Sequence, residues 1–361
     1  MAKKATSQDV AKLAGVSQSA VSSILNNSAK VSFTEETRAK VFQAAQTLGY
    51  QLPRRKKNAL GLRTGLVLVL VPTLANQYYA ELGRALESYA DSLGVKAIVC
   101  STFRKRELES YYLELFLKMG IGGIVYTFLP SFPQMAQQID RDTPVVLIGE
   151  KEDDLSICSI ELSNVKSAVM LGEHLYQLGH RRFAFVSTPF KRTTLARRQR
   201  LDGLQQVLKS HGLPKDALQV VAPPESYAES ETDNSLQPYE YTVGRHLTEN
   251  LFKKGTDVTA FVAVNDMTAV GIVDALRTMG HSIPEDYSVC GFDNIFTASI
   301  TTPAITTIDY QLNMRCKAAI DMIMARAGTG GAATTLTQAN KIEYTPQLVV
   351  RASTGPAPKA E

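Results

Sequence analysis

Two periodicities divide the chain. Up to about residue 50, apolar positions recur at helical spacing: Val10, Ala11, Leu13 and Ala14, then Val21, Ile24 and Leu25, then Val41, Ala45 and Leu48. Beyond that, short unbroken apolar runs take over at 66–71, 96–101, 123–128, 145–149, 183–187, 260–264 and 288–291, separated by amphipathic stretches. Such runs predict strands buried on both faces and alternating with helices, the pattern of doubly wound parallel α/β sheets. Gly120-Ile-Gly-Gly123 does not complete a G-x-G-x-x-G fingerprint, because Val125 occupies the last position, and it reads as a turn into a strand.

The N-terminal pattern carries its own punctuation. Thr6 followed by Asp9 predicts an N-capped helix with an acid at the positive end of its dipole. Gly15 supplies the left-handed exit, and Ser17 caps a second helix to about Leu25. On that second helix Gln18, Ser19, Ser22 and Ser23 point outward with short polar side chains, a face that fits a major groove. A third helix starts with Glu35 and Glu36 and ends at Gly49. Three short helices with a tight turn between the first two predict an all-α helix-turn-helix module, although a small bundle with a solvated basic face has the same pattern.

Charge changes this picture. The net charge is only +4, but residues 1–65 hold eleven Lys and Arg against three acids, and the remainder holds 28 basic against 32 acidic residues. A basic head on a mildly acidic body predicts a polyanionic partner for the head alone. Other chemistries are unsupported. Cys100, Cys158, Cys290 and Cys316 form no C-x-x-C pair, and the five histidines show no ligand spacing, so neither a disulfide frame, a metal nor a cofactor is expected. The longest apolar run stops at Pro72, well short of the roughly 18 residues of a membrane span. The first residues do not read as a secretory signal, which points to the cytoplasm.

The motif Asp9-Val-Ala-Lys-Leu-Ala-Gly-Val-Ser17, followed by Ala20-Val-Ser22, Ile24-Leu-Asn26, Val31-Ser32, Thr37-Arg38 and Leu48-Gly-Tyr50, resembles the headpiece of the lactose-repressor/galactose-repressor family. The resemblance implies a transcription regulator, commonly a repressor. It places Gln18, Ser19 and Ser23 at base edges, and Thr6, Ser17, Ser22 and Asn26 near phosphates. Ser23 stands where the family often has a long basic residue, so a bidentate contact to guanine is lost there and the operator should differ. Ala20, often a threonine, gives up a phosphate contact. In the family the stretch after the head folds into a hinge helix whose leucine wedges into the minor groove. Leu60 is the candidate here, with Leu62 as the alternative, while Arg54 to Lys57 would attract the DNA backbone.

The resemblance continues through the body in Leu178-Gly-His-Arg-Arg182, Arg200-Leu-Asp-Gly203, Val264-Asn-Asp266, Gly291-Phe-Asp293 and Leu348-Val-Val-Arg351. It implies a headpiece at 1–52, a hinge at 53–65 and a two-lobed, periplasmic-binding-protein-like ligand-binding and dimerisation domain at 66–351. One lobe would comprise about 66–163 and 312–338, the other about 164–309 and 340–351, with a disordered tail at 352–361. Ligands of open α/β sheets sit beyond the strand carboxyl ends. Asn265, Asp293 and Arg200 are therefore ligand candidates from one lobe, and Thr73, Asn76 and Tyr78 from the other. Asn265 and Asp293 can equally cap helices, Arg200 can form a surface ion pair, and Tyr78 can belong to a helix core. Ser163-Asn164 replaces the family's Asp-Asn pair, removing an expected carboxylate, and Asp266 reads as structural. Residues 222–238 look like a loop of unassigned role.

The implied assembly is a homodimer on near-palindromic double-stranded operator DNA, under allosteric control by a small-molecule effector. A solute-binding protein and a sugar- or nucleotide-processing enzyme share the body fold. The head argues against the first. Against the second stands the lack of a P-loop, a G-x-S-x-G elbow and a metal cluster.

Overall fold

Thr6 opens the first helix by closing a capping box: its hydroxyl accepts from the Asp9 N–H at 3.3 Å while its own N–H donates to the Asp9 carboxylate at 2.8 Å. In the computed structural model the chain divides into two compact units, Met1–Lys56 and Lys57–Glu361. The structure describes residues 6–25, 33–48, 50, 65–151, 154–190, 195–224, 237–328 and 341–359. Asn26, Leu60, Leu62 and most of the 222–238 loop lie outside the described residues.

In the small unit, α1 (Ser7–Ala14), α2 (Gln18–Leu25) and α3 (Glu35–Thr47) pack around Val10, Ala11, Val21, Ile24, Val41, Ala44 and Ala45. Gly15 turns the chain between α1 and α2 at φ 66°, where a side chain would be strained. Leu13, expected on the inner stripe of α1, is instead 55% exposed. Two inward positions suffice for a helix of eight residues.

The large unit begins with β1 (Leu66–Val71), α4 (Gln77–Ser92), β2 (Lys96–Ser101), α5 (Arg106–Met119), β3 (Gly123–Tyr126), α6 (Pro133–Asp140), β4 (Val145–Ile148) and β5 (Cys158–Leu162). It continues with α7 (Asn164–Gln177), β6 (Phe183–Val186), α8 (Leu195–Ser210), β7 (Leu218–Val221), α9 (Tyr239–Lys254), β8 (Ala260–Ala263), α10 (Asp266–Thr278) and β9 (Ser288–Cys290). It closes with α11 (Phe296–Ile300), β10 (Thr307–Asp309), α12 (Leu312–Gly328), β11 (Lys341–Tyr344) and β12 (Gln347–Val349).

Two parallel sheets result, in the orders β2-β1-β3-β4-β5-β11 and β7-β6-β8-β9, with β10 and β12 as an antiparallel ribbon beside the second. Both sheets are covered twice, which explains the unbroken apolar strands. In β1, Val67, Val69 and Val71 face the layer of α4 and α12, and Leu68 and Leu70 face that of α5. In the second sheet Phe183 and Phe185 pack with α7 and α8, and Ala184 and Val186 with α10.

Two expectations are corrected. The chain crosses between lobes three times, and the last crossing falls later than expected: β11 pairs with β5, so Lys341–Tyr344 belongs to the first lobe and only β12 returns to the second. Residues 352–359 are not a disordered tail. Ser353 is fully buried, accepting from Thr306 N–H at 2.8 Å and donating to the Val289 carbonyl at 2.5 Å. Ala357 N–H reaches the Leu178 carbonyl at 2.8 Å. The segment satisfies the open backbone of β9, a role its Gly, Pro and Ala composition hides.

Candidate functional site

Between the lobes of the large unit lies a cleft of about 180 Å³, at the strand ends where each sheet's order reverses. Its floor is built on Arg200. This side chain reaches inward from α8, is only 8% exposed, and is therefore no surface ion pair. Its Nε donates to Asn164 Oδ1 at 3.0 Å, one terminal nitrogen donates to the Tyr310 hydroxyl at 2.8 Å, and the other donates to the Val264 carbonyl. The guanidinium lies 4.5 Å from the centre of the Phe292 ring, a cation–π contact. Tyr310 in turn donates to Asn164 Oδ1 at 3.2 Å, closing a buried network.

Asp293 faces this network, its carboxylate 3.7 Å from Arg200. It sits just beyond β9 at φ 114°, a conformation non-glycine residues seldom adopt and one that turns the carboxylate into the cleft. Burial pushes its pKa up to about 7, against the opposing pull of Arg200. It caps no helix. The carboxylate of buried Asp266 instead receives the Ile295 N–H at 3.1 Å at the start of α11, and the Thr307 hydroxyl at 2.6 Å. Asn265 caps α10 by accepting from Thr268 N–H at 2.9 Å, and it also lines the cleft.

From the first lobe, Asn76 caps α4 through the Tyr78 N–H at 3.0 Å and donates across the cleft to Glu240 at 2.6 Å. Tyr78 lines the cleft, and burial pushes its hydroxyl up to about 12, so it stays protonated. It also packs with core side chains of both lobes. Thr73 does not line the cleft; its hydroxyl accepts from Ala75 N–H at 3.1 Å and holds the turn that aims Asn76.

Sequence reasoning missed Glu150, Glu240, Tyr310 and Arg315, all of which line the cleft. Glu150 directly follows the apolar run of β4, so the strand-end rule could have found it. Its carboxylate accepts from the Asn164 side-chain amide at 3.1 Å, and burial raises its pKa. It thus supplies a carboxylate beside Asn164, where Ser163 only caps α7 through Lys166 N–H. Arg315 lies within a helix and gives no such signal.

On the small unit, Gln18, Ser19 and Ser22 form an exposed neutral face on α2, with Ser23 half-buried at its edge. Ser17 caps that helix through Ala20 N–H at 3.1 Å and shares a hydrogen bond with Ser19 at 2.9 Å, while Gln18 donates to Ser7 at 2.8 Å. Among the described residues no group of His, Cys, Asp and Glu could hold a metal ion, and no helix is long and apolar enough to cross a membrane.

Comparison with known proteins matches residues 6–52 to the family described as bacterial regulatory proteins, lacI family, and residues 173–354 to the periplasmic binding protein-like domain. The transcriptional regulator DegA of Bacillus subtilis is 28% identical over 98% of this chain and 99% of its own length. The repressor PurR of Glaesserella parasuis is 27% identical over 97% of this chain and 98% of its own length. Among solved structures, a LacI family regulator from Enterococcus faecium with bound ribose matches with a TM-score of 0.67 at 22% identity, covering 81% of this chain and 99% of that one. The lac repressor dimer bound to operator and an anti-inducer matches with a TM-score of 0.65 at 24% identity, covering 98% and 100%.

Proposed function

The chain belongs to the lacI family of bacterial regulatory proteins, with a periplasmic binding protein-like body, and from that premise we propose that it is a repressor whose grip on operator DNA is set by a small sugar or sugar-like effector in the cleft. Two copies pair as a homodimer in the cytoplasm, and their heads read the half-sites of a near-palindromic operator, as the symmetry of a dimer demands. Gln18, Ser19 and Ser23 address base edges, Thr6, Ser17, Ser22 and Asn26 hold phosphates, and Leu60 wedges into the minor groove. The neutral face of α2 leaves backbone attraction to the basic residues of the head and hinge.

The observation that carries the effector reading is the buried Arg200–Asp293 pair, ringed by Asn164, Asn265 and Tyr310 at the bottom of an interlobe cleft. Such a ring offers donors and acceptors at fixed angles to hydroxyl groups. Asn76 and Tyr78 complete it from the other lobe. The ribose on the Enterococcus faecium regulator and the cellobiose on CelR support a sugar-like ligand, and the lac repressor dimer on its operator supports the assembly. The chain acts by binding, not turnover. Effector binding shifts the lobes between open and closed states, and that shift alters whether residues 53–65 fold on DNA.

The test is selection of the purified full chain against a random duplex library at moderate and high salt. A two-fold symmetric site with a central pyrimidine–purine step is the expected product, released by salt. No enriched site, with or without added cell extract, overturns the proposal; so does chemical turnover of a bound sugar.

A further inference from the structure

Arg315 is a buried cation that no described carboxylate touches; Asp293 acts on it only from beyond contact distance. It projects from the first turn of α12, is 5% exposed, and lines the cleft together with Arg200, Tyr78 and Tyr310. Its contacts are long. The terminal nitrogens donate to the Tyr78 hydroxyl and the Ile160 carbonyl, both at 3.4 Å, and the Tyr310 ring centre is 5.9 Å from the guanidinium carbon. Its Nε has no hydrogen-bond partner among the described residues. No described carboxylate comes within 4.0 Å of it. Comparable arginines are neutralised: Arg200 by Asp293 at 3.7 Å, and Arg326, farther along α12, by Asp140 at 2.6 Å.

A guanidinium taken out of water with its donors unfilled is costly unless something completes it. The cleft's own carboxylates are engaged elsewhere. Glu240 receives Asn76, Glu150 receives Asn164, and Asp293 pairs with Arg200. The geometry points to a ligand that brings the missing charge: a small polyhydroxylated oxyanion, a sugar acid or sugar phosphate, with its anionic end on Arg315 and its hydroxyls on Asp293 and Asn265. A planar guanidinium whose two terminal nitrogens each make one long bond and keep a further N–H suits a two-oxygen anion, which it can grip with two parallel donors. The Tyr78 hydroxyl, already an acceptor for Arg315, has its own proton to give to the same anion. This deepens the effector reading and rests on the cleft being the effector site.

The experiment uses the full chain as wild type, Arg315→Met and Arg315→Lys. Each is titrated calorimetrically at fixed ionic strength with glucose, glucuronate and glucose 6-phosphate, and with galactose, galacturonate and galactose 6-phosphate. At least one anion should bind the wild type at least ten-fold tighter than its neutral parent; a uronate assigns a carboxylate, a sugar phosphate a phosphoryl group. Arg315→Met should erase that preference to within two-fold, and Arg315→Lys should keep part of it. Relief of an unpaired buried charge should also leave the ligand-free melting temperature of Arg315→Met at or above wild type. Neutral parents binding as tightly as the anions, absence of anion binding, a preference surviving in Arg315→Met, or a lower melting temperature in that variant overturns the inference. Operator binding is measured on the same preparations. Its loss with the anion preference intact defeats the regulator reading alone, and the converse defeats this inference alone.

Discussion

Asp293 ties the cleft to pH. Its ordinary value of 3.8 rises to about 7 through burial, with Arg200 and Arg315 pulling the other way and Glu240 and Glu81 adding to the rise. The folded protein therefore holds a proton that the unfolded chain has released. Stability from this group is fully present below about pH 4 and is lost as pH rises through about 7. Asp266, buried nearby, shifts in the same direction. The melting temperature of wild type, relative to Asp293→Asn, should fall across that window; a constant difference between the two from pH 4 to 7 would refute the assignment. The residues of this site were unevenly legible. Arg200, Asn265, Asp293, Asn76 and Tyr78 were reachable because they stand at strand ends or in family motifs. Glu240 and Arg315 were not, since each lies within a helix, where a charged residue is ordinarily read as solvent-facing. Thr73 was placed one layer too close, because its spacing from β1 cannot tell a turn-forming hydroxyl from a ligand-facing one.

Close helix crossing explains several glycines that have no turn to make. A Cβ on Gly271 of α10 would collide with the Tyr241 carbonyl of α9, and one on Gly244 of α9 with the Thr268 carbonyl of α10. Neither obstacle is a flexible side chain. Gly271→Ala should therefore destabilise the large unit by about 1–3 kcal/mol in denaturant titration despite its better helix propensity. The C-terminal segment supports a second element. Ending the chain at Ala352 removes Ser353, leaves buried Ser288 without its Gly355 partners, and deprives His180 of the Gly355 carbonyl at 3.1 Å. The cut removes two bonds of the Ser353 hydroxyl, three with Gly355 and one from Ala357, so at roughly 1 kcal/mol per lost hydrogen bond the loss should be on the order of 6 kcal/mol. A truncated chain with an unchanged unfolding midpoint would contradict this. Strands with two covered faces, such as β1 and β8, were readable as apolar runs. The missed ones carry weaker patterns: Ser159 and Glu161 interrupt the buried β5, Gln219 interrupts β7, β11 is an exposed edge with Lys341 paired to Glu161 at 2.7 Å, and β10 and β12 have three residues each.

Three contacts hold the lobes of the large unit together at the N-terminus of α4: Asn76 to Glu240, Gln77 to Thr297, and Glu81 to the Phe296 N–H at 3.1 Å. The alternation of strands and helices made two lobes legible, but these contacts join α4 to residues more than 160 positions away, and pairing at that distance has no local signature. Thr297 matters because it does not line the cleft, so changing it alters closure without touching a ligand. Thr297→Val preserves shape and removes one donor. Loss of about 1 kcal/mol from the closed state should weaken effector binding by about five-fold if closure and binding are one equilibrium. The same variant tests the coupling to DNA without knowing whether the effector induces or corepresses. Linkage is reciprocal: if the effector acts by closing the lobes, a substitution that opens them must move operator affinity of the ligand-free protein opposite to the effector. Operator titrations of wild type with and without effector, and of ligand-free Thr297→Val, supply both signs. Equal signs, or a variant with weakened effector binding and unchanged operator affinity, would mean that lobe closure does not carry the signal.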